Sequence, residues 1–366
     1  MKEHISVWQL GALIYATIIP TAILVVPSVV MAHSKQDAWI SITGATVLGV
    51  GIAWLTGAIA MRVPQSFSFL GWISQRLGKW IATIVGLLLT LYYISISSII
   101  LQEFTNILSD QILFETPDWV IMIIIMCVCS YAVYGGVEVI ARVNGVVTTV
   151  SIITYCISLL LFLNLIEPSQ LLPVMNTPFP HIAYGGLLPL GWLSEAALVL
   201  LLGPFLQSKK GIAKAAMGGT VAAGFHLTIT VALCLILFGP IMPQQFRYPT
   251  FSMIEIIKLG TTLERLDIMF VSFWVCTIYI KMALFLFGAF HCLTETFRIK
   301  PSKSVLLGLN LVIMATAFVS YHDETVFHNQ MQHITPYELL GMNLVLPLLL
   351  AVALFIRKKV PRKRRS

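Results

Sequence analysis

The first apolar stretch of the chain, residues 5–31, contains the sequence ATIIPTA at residues 16–22. About 20 apolar residues are enough to cross a bilayer, so the stretch predicts a membrane-spanning helix. Pro20 lies near its middle and has no N–H to donate to the carbonyl four residues earlier, and Pro27 repeats the fault. Freed backbone groups at membrane depth are tolerated where they are buried in protein or line a cavity. The stretch is therefore either a kinked packing helix or a broken helix that lines a substrate site.

Composition places the whole chain in the membrane. Of its 366 residues, 58% are hydrophobic and 11% are charged, and the mean hydropathy is +0.89. Soluble domains carry about 25% charged residues, so the sequence predicts an all-α polytopic membrane protein. The net charge of +7 comes from short loops and from the basic run at residues 357–365, which we expect on anionic lipid headgroups. The six cysteines lie in apolar runs and indicate neither a disulfide nor a metal site.

Ten apolar spans account for most of the chain. If the N-terminus lies inside, 18 of the 23 lysines and arginines fall on the inner side, four on the outer side, and Lys281 within a span. The positive-inside rule then predicts that both termini are cytoplasmic. The spans are residues 5–31, 38–61, 80–108, 118–134, 144–165, 184–206, 217–242, 268–293, 304–320 and 336–356.

Two connections are long enough to hold short helices. The inner one, residues 62–79, predicts an interfacial helix with Trp72 near the headgroups. The outer one, residues 243–267, predicts either a short helix capped by Thr250 or Ser252, or an ordinary solvated loop. Such an outer helix would cover an entrance.

The sixth span is interrupted like the first. It contains PLGWLSE at residues 189–195 and Gly-Pro at 203–204. Interruptions at corresponding positions of two halves are the best pointer from sequence to a midplane site. The sequence therefore predicts a LeuT/APC-like fold of ten helices in a 5+5 inverted repeat with broken helices 1 and 6. We expect one transmembrane domain, residues 1–356, with repeats at about 5–165 and 184–356 and a basic cytoplasmic tail, 357–366.

Charged residues inside the spans are candidates for function. Glu195 lies at the centre of span 6 and Lys281 at the centre of span 8, where either charge facing lipid would cost about 2.5–3.5 kcal/mol or more. Both must face the interior, as functional groups or as a structural buried pair. Glu103, in the outer third of span 3, has a functional role or simply reaches the interface.

The predicted ligand site lies between the two interruptions. Helix ends exposed there would offer N–H groups to a carboxylate and carbonyls to an ammonium. The tyrosines of span 3 would shape the side-chain pocket, unless they serve packing alone. Enzyme signatures such as GxSxG and HExxH are absent, so we expect no enzyme, catalytic residue, cofactor or metal. The ligand-site candidates are Thr17, Pro20, Thr21, Ala22, Tyr92, Tyr93, Gly191, Trp192, Ser194 and Glu195.

The chain resembles the B-subunit family of spore nutrient-germinant receptors, within the amino acid–polyamine–organocation superfamily. The resemblance runs over nearly the whole length. It is carried by TIIPTAIL at residues 17–24 with Pro27, LGKW at 77–80, residues 191–195 with GPF at 203–205 and Lys209-Lys210, YPT at 248–250, and ERLD at 264–267.

This resemblance implies a fold like that of amino-acid transporters and a place in the inner membrane of dormant spores. It implies an A-type membrane subunit and a C-type lipoprotein as partners, and a small nutrient such as an amino acid as ligand. Nutrient binding would trigger germination. A proton-coupled amino-acid permease and a pore-forming channel subunit remain alternative functions for the same fold.

The resemblance also assigns a role to Lys281. Sodium-coupled transporters of this fold bind a cation between spans 1 and 8, and Thr277 precedes Lys281 by one turn of span 8. A protonated lysine would take that cation position and donate to the freed carbonyls near residues 16–17, making sodium unnecessary. It would titrate when span 1 moves, or it would be a fixed structural cation that pairs with Glu195.

Overall fold

The computed structural model describes residues 4–166, 168–256, 266–321 and 323–358, which form a helical bundle. The helices are α1 Val7–Ser34, α2 Ala38–Arg62, α3 Phe69–Leu77, α4 Lys79–Gln111, α5 Asp118–Gly135, α6 Val137–Phe162, α7 Phe179–Leu193, α8 Val199–Leu202, α9 Ile212–Phe238, α10 Pro249–Glu255, α11 Leu266–Phe297, α12 Lys303–Tyr321, α13 Glu324–Asn329, α14 Thr335–Leu340 and α15 Leu346–Lys358.

Nine stretches of the described chain are helical, long and apolar enough to cross a membrane. The first, Val7–Arg62, comprises α1 and α2, which are joined by the 3-10 turn Lys35–Asp37. The predicted all-α polytopic class is confirmed. The count of ten crossings, the inverted repeat and its domain bounds stay predictions, and residues 359–366 of the expected tail lie outside the described chain.

Helix α2 packs tightly against α9 through small residues. A Cβ on Gly57 would lie 2.6 Å from Cα of Ala213, and a Cβ on Gly224 would lie 2.2 Å from Oγ1 of Thr46. Higher numbers on α2 therefore meet lower numbers on α9, so the two helices are antiparallel. Small residues bring membrane helices close enough for their backbones to pack.

Helix α1 packs against α9 in the opposite sense. Gly11 approaches Ala215, and the Tyr15 hydroxyl shares a 2.6 Å hydrogen bond with Nδ1 of His226. The numbers rise together, so α1 runs parallel to α9 and antiparallel to α2. The stretch Val7–Arg62 therefore turns back on itself.

The predicted break in span 1 is wrong, because α1 is one uninterrupted α-helix that contains both prolines. Its neighbours supply hydrogen bonds beside each fault. Pro27 has no N–H for the Ile23 carbonyl, and the Thr250 hydroxyl donates to that carbonyl at 2.5 Å. The indole of Trp274 donates to the Pro20 carbonyl at 2.8 Å. At Pro27, a donor from another element thus satisfies the freed carbonyl, and the helix continues.

The predicted interruption of span 6 is confirmed. Helix α7 ends at Leu193, and the chain continues as the 3-10 segment Ser194–Leu198 before α8. Pro189 lies within α7. Gly191 lets α14 approach, since a Cβ there would lie 2.8 Å from Cα of Pro336.

Both connecting helices exist, but not with the predicted surroundings. Trp72 of α3 is buried rather than at a headgroup surface, because α3 packs on α4, α11 and α15. Helix α10 has Tyr248 at its N-cap and no side-chain cap, so the predicted cap by Thr250 or Ser252 is wrong. Thr250 bonds α1 instead. Residues 257–265 of this connection lie outside the described chain.

The α2–α9 contact predicts that an added methyl group destabilises the protein at Gly57 but not at Gly51. Gly57→Ala forces the two backbones apart and should lower the free energy of unfolding by about 1–3 kcal/mol. Gly51→Ala, on the same helix, is the control, because its Cβ meets nothing within 4 Å. Thermal unfolding in detergent measures both. Equal stability of the two variants would contradict the close packing.

The bond from Thr250 to α1 gives a second prediction. Thr250→Val removes the donor to the Ile23 carbonyl and keeps the shape, so stability should fall by about 1 kcal/mol. Thr43→Val is the matched control, because the exposed Thr43 bonds only the Trp39 carbonyl of its own helix. Thermal unfolding of the two variants should differ, and an unchanged Thr250→Val protein would show that α10 does not support α1.

Candidate functional site

The centre of the bundle holds a buried ammonium with three hydrogen bonds. Nζ of Lys281 donates to both carboxylate oxygens of Glu195 at 2.9 Å and to Oγ1 of Thr21 at 2.6 Å. An ammonium has three donors, and here each has an acceptor. The acceptors are side chains, whereas the sequence predicted main-chain carbonyls near residues 16–17.

These three residues join three different elements. Thr21 lies in the middle of α1, Glu195 lies in the 3-10 segment after α7, and Lys281 lies in the middle of α11. Lys281 is 1% exposed and Glu195 is 2% exposed. In such surroundings each charge depends on the other, because a single buried charge left without a partner costs about 3–5 kcal/mol. We call these three residues the central ion pair site.

Aromatic rings form the floor of the central ion pair site. Nζ of Lys281 lies 5.5 Å from the ring centroid of Phe285, a distance at which a cation and a ring face attract. The rings of Tyr92 and Tyr93 pack against Phe285 at 6.3 and 5.6 Å between centroids. The amide of Asn343 donates to the Tyr92 hydroxyl at 2.9 Å, so this tyrosine is held in place.

Other residues predicted to bind the ligand instead form hydrogen bonds within their own helix or are buried in the core. Thr17 donates to the Leu13 carbonyl within α1, and Thr277 donates to the Trp274 carbonyl within α11. Ser194 donates to the Gly191 carbonyl at 2.5 Å, which closes the turn where α7 ends. Ala22 and Trp192 are buried in the core, at 0% and 1% exposure. The sequence predicted two interrupted helices that face each other. The structure shows one interruption, after α7, next to a continuous α1.

A cavity lies beside the central ion pair site, between α1, α6, α9 and α11. Its accessible volume is about 50 Å³, which is room for a few water molecules. It reaches Pro20, next to Thr21, and Thr277, one turn from Lys281. Among the described residues no acidic, lysine or arginine side chain lines it. Its polar and ring-bearing lining includes Tyr15, Thr148, Tyr155, His226 and Trp274.

Three features of the site escaped the sequence analysis. Trp274 and Thr250 bond α1 from more than 200 residues away, and no local pattern marks such partners. Glu103 is 1% exposed rather than at the interface, although its position alone allowed both. The available signal for its burial was the recurrence of polar residues on α4 every three or four positions, at Gln102, Glu103, Asn106 and Asp110.

The fold resembles that of cation-coupled transporters. A nucleobase-cation-symport-1 family transporter, in a closed conformation with bromovinylhydantoin bound, superposes with a TM-score of 0.69 at 15% identity, over 99% of this chain and 81% of that one. A Na⁺-coupled sialic acid symporter in an outward-open state gives 0.65 at 11% identity, over 93% and 79%. At such identities the likeness shows the LeuT-like fold alone.

The sequence relatives are spore germination proteins. Spore germination protein KB of Bacillus subtilis (strain 168) is 25% identical, and the alignment covers 100% of this chain and 98% of the relative. Spore germination protein XB of Bacillus anthracis is 24% identical, over 96% and 97%. Residues 4–326 match the family profile described as spore germination protein. The match spans most of the chain, which therefore belongs to the spore germination protein family.

Proposed function

We propose that the chain is the nutrient-sensing B subunit of a spore germinant receptor, and that it recognises an amino acid or a similar small nutrient. Family membership supports the role in germination, and the transporter-like fold supports a small-molecule site at the middle of the bundle. The single observation that carries the ligand class is the buried pair of Glu195 and Lys281.

An amino acid is chemically complementary to that pair. Its ammonium replaces Lys281 as the partner of Glu195, and its carboxylate replaces Glu195 as the partner of Lys281. Both charges then remain paired, so the exchange avoids the cost of an unpaired buried charge. A nutrient with only one of the two groups would leave one protein charge unpaired.

The exchange has mechanical consequences because the pair joins separate elements. While Lys281 is bound to Glu195 and Thr21, α11 is tied to α1 and to the 3-10 segment after α7. A ligand inserted into the pair replaces those direct bonds by bonds through itself. The ligand thereby shifts the population of two arrangements of the bundle according to its difference in affinity for them. The side chain of the ligand would extend toward the adjoining cavity.

The wider setting follows from the same assignment. The subunit would act beside an A-type membrane subunit and a C-type lipoprotein in the inner membrane of the spore. Both termini would face the spore core, as the distribution of lysine and arginine predicts.

A proton-coupled amino-acid permease is the second candidate. The observation in its favour is the likeness to two cation symporters, which bind and move their ligands with the same architecture. Fold does not settle function, so nutrient uptake by growing cells separates the two candidates.

One genetic experiment tests the sensor and its site together. Spores without the gene should lose the germination response to at least one nutrient in a panel, and the wild-type gene should restore it. Restoration with Glu195→Gln should raise the half-maximal nutrient concentration about tenfold or more, because the amide loses the charge that holds an ammonium.

Glu115→Gln is the matched control, since the same chemical change falls on an exposed side chain and should leave the response normal. Protein levels in spore membranes are compared by immunoblot. A deletion that alters uptake in growing cells but no germination response would favour the permease. A normal concentration dependence in Glu195→Gln would remove this carboxylate from recognition.

A further inference from the structure

A row of polar residues covers one side of the outer part of α4. Gln102, Asn106 and Asp110 follow one another at intervals of four residues, and Glu103 lies three residues before Asn106. The amide of Gln102 donates to Oδ1 of Asn106 at 2.7 Å. We call these four residues the α4 polar stripe. Gln102, Glu103 and Asn106 are buried in the bundle.

The α4 polar stripe contains polar atoms without partners. In the part of the chain that the structure describes, neither carboxyl oxygen of Glu103 has a hydrogen-bond partner, and the same holds for Oε1 of Gln102 and Nδ2 of Asn106. Buried polar groups in folded proteins are almost always bonded to protein or water. An ionised carboxyl in this state is the costliest case, because burial removes water and nothing replaces it.

Among the residues that the structure describes, no positive charge is left over for Glu103. The charged groups that act on it are Lys281 of α11 and Glu195 of the 3-10 segment, and these two already neutralise each other. Helices α5 and α12 also pack on α4, and their only acidic or basic side chains are Asp118 and Lys303 at their first positions. In α3 the only charged side chain is Arg76, near the inner end of α4.

At the outer end of the α4 polar stripe, a group of charged and aromatic side chains separates the stripe from the surface. Nη1 of Arg247 lies 2.6 Å from Oδ2 of Asp110 and 3.3 Å from Oε1 of Glu324, and its guanidinium lies 5.3 Å from the Tyr248 ring centroid. Burial raises the pKa of the Tyr248 hydroxyl, so this group stays neutral. We call Asp110, Arg247, Tyr248 and Glu324 the outer cluster. Helix α10 begins at the next residue after Tyr248.

The distance from the carboxyl to the surface is short. Asp110 lies seven positions after Glu103 in α4, which is a rise of about 10 Å at 1.5 Å per residue. The half-exposed Arg247 and Asp110 pair is the part of this route that meets water. Separation of that pair would let water reach the unpartnered atoms of the stripe.

We propose that Glu103 is a proton-binding site that the outer cluster controls. While the cluster is closed, Glu103 is a neutral carboxylic acid. When the cluster opens, the O–H bond of the acid breaks, the proton passes to a water molecule on the stripe, and the electron pair stays on the carboxylate. The site takes a proton rather than a nutrient, so it operates whether or not the central ion pair site binds an amino acid.

Infrared spectroscopy of the purified full chain in lipid nanodiscs tests this proposal at neutral pH. The difference spectrum of wild type minus Glu103→Gln should show the C=O stretching band of a protonated carboxylic acid. Glu115→Gln, an exposed glutamate, should leave that band in place. If Glu103→Gln does not fold, Glu103→Leu provides a neutral, apolar replacement. Loss of a carboxylate band instead of an acid band would overturn the proposal.

Deuterium exchange tests control by the outer cluster. In D₂O the acid band of Glu103 should shift slowly in wild type and about tenfold faster in Arg247→Ala, because the open state becomes more populated. Arg142→Ala is the control, since Arg142 pairs with Glu138 on a distant surface. Equal exchange rates in wild type and Arg247→Ala would show that the cluster does not close the route.

Discussion

The ammonium of Lys281 is the interaction on which the centre of this protein depends. It lies where a membrane protein can least accommodate a charge, and its bonds to Glu195 and Thr21 make that position stable. Because its partners come from the 3-10 segment and α1, the same three bonds that satisfy the charge also hold α11 against both elements. The position of the charge and the arrangement of the helices therefore depend on one another.

The two prolines of α1 also lie beside carbonyls that accept hydrogen bonds from residues far along the chain. Each proline removes a donor from α1, which nevertheless remains an α-helix. Thr250 donates to the Ile23 carbonyl that Pro27 frees, and Trp274 donates to the carbonyl of Pro20 itself. Both donors belong to elements next to the central ion pair site, since Trp274 lies two turns before Lys281 on α11. A movement of α10 or α11 would remove support from α1.

Much of this arrangement could be predicted from sequence, for identifiable reasons. Apolar length gave the helices, and the cost of buried charge pointed to Glu195 and Lys281, because that cost depends only on their depth in a span. The interruption of span 6 was predictable because the residues that mark it, such as Pro189 and Gly191, lie within the span itself. The continuity of α1 was not, because its donors come from far along the chain. The burial of Glu103 was equally hidden, since a residue in the outer third of a span can face water, lipid or protein.

The most direct test of the central claim is a double-mutant cycle on the buried pair. Glu195→Gln, Lys281→Met and the double variant are compared by their free energies of unfolding in detergent. If the pair holds the bundle as described, each single change leaves a buried group unpaired and should cost about 3–5 kcal/mol, and the double variant should lose far less than the sum. Losses that simply add would show that Glu195 and Lys281 act independently, and would contradict the account.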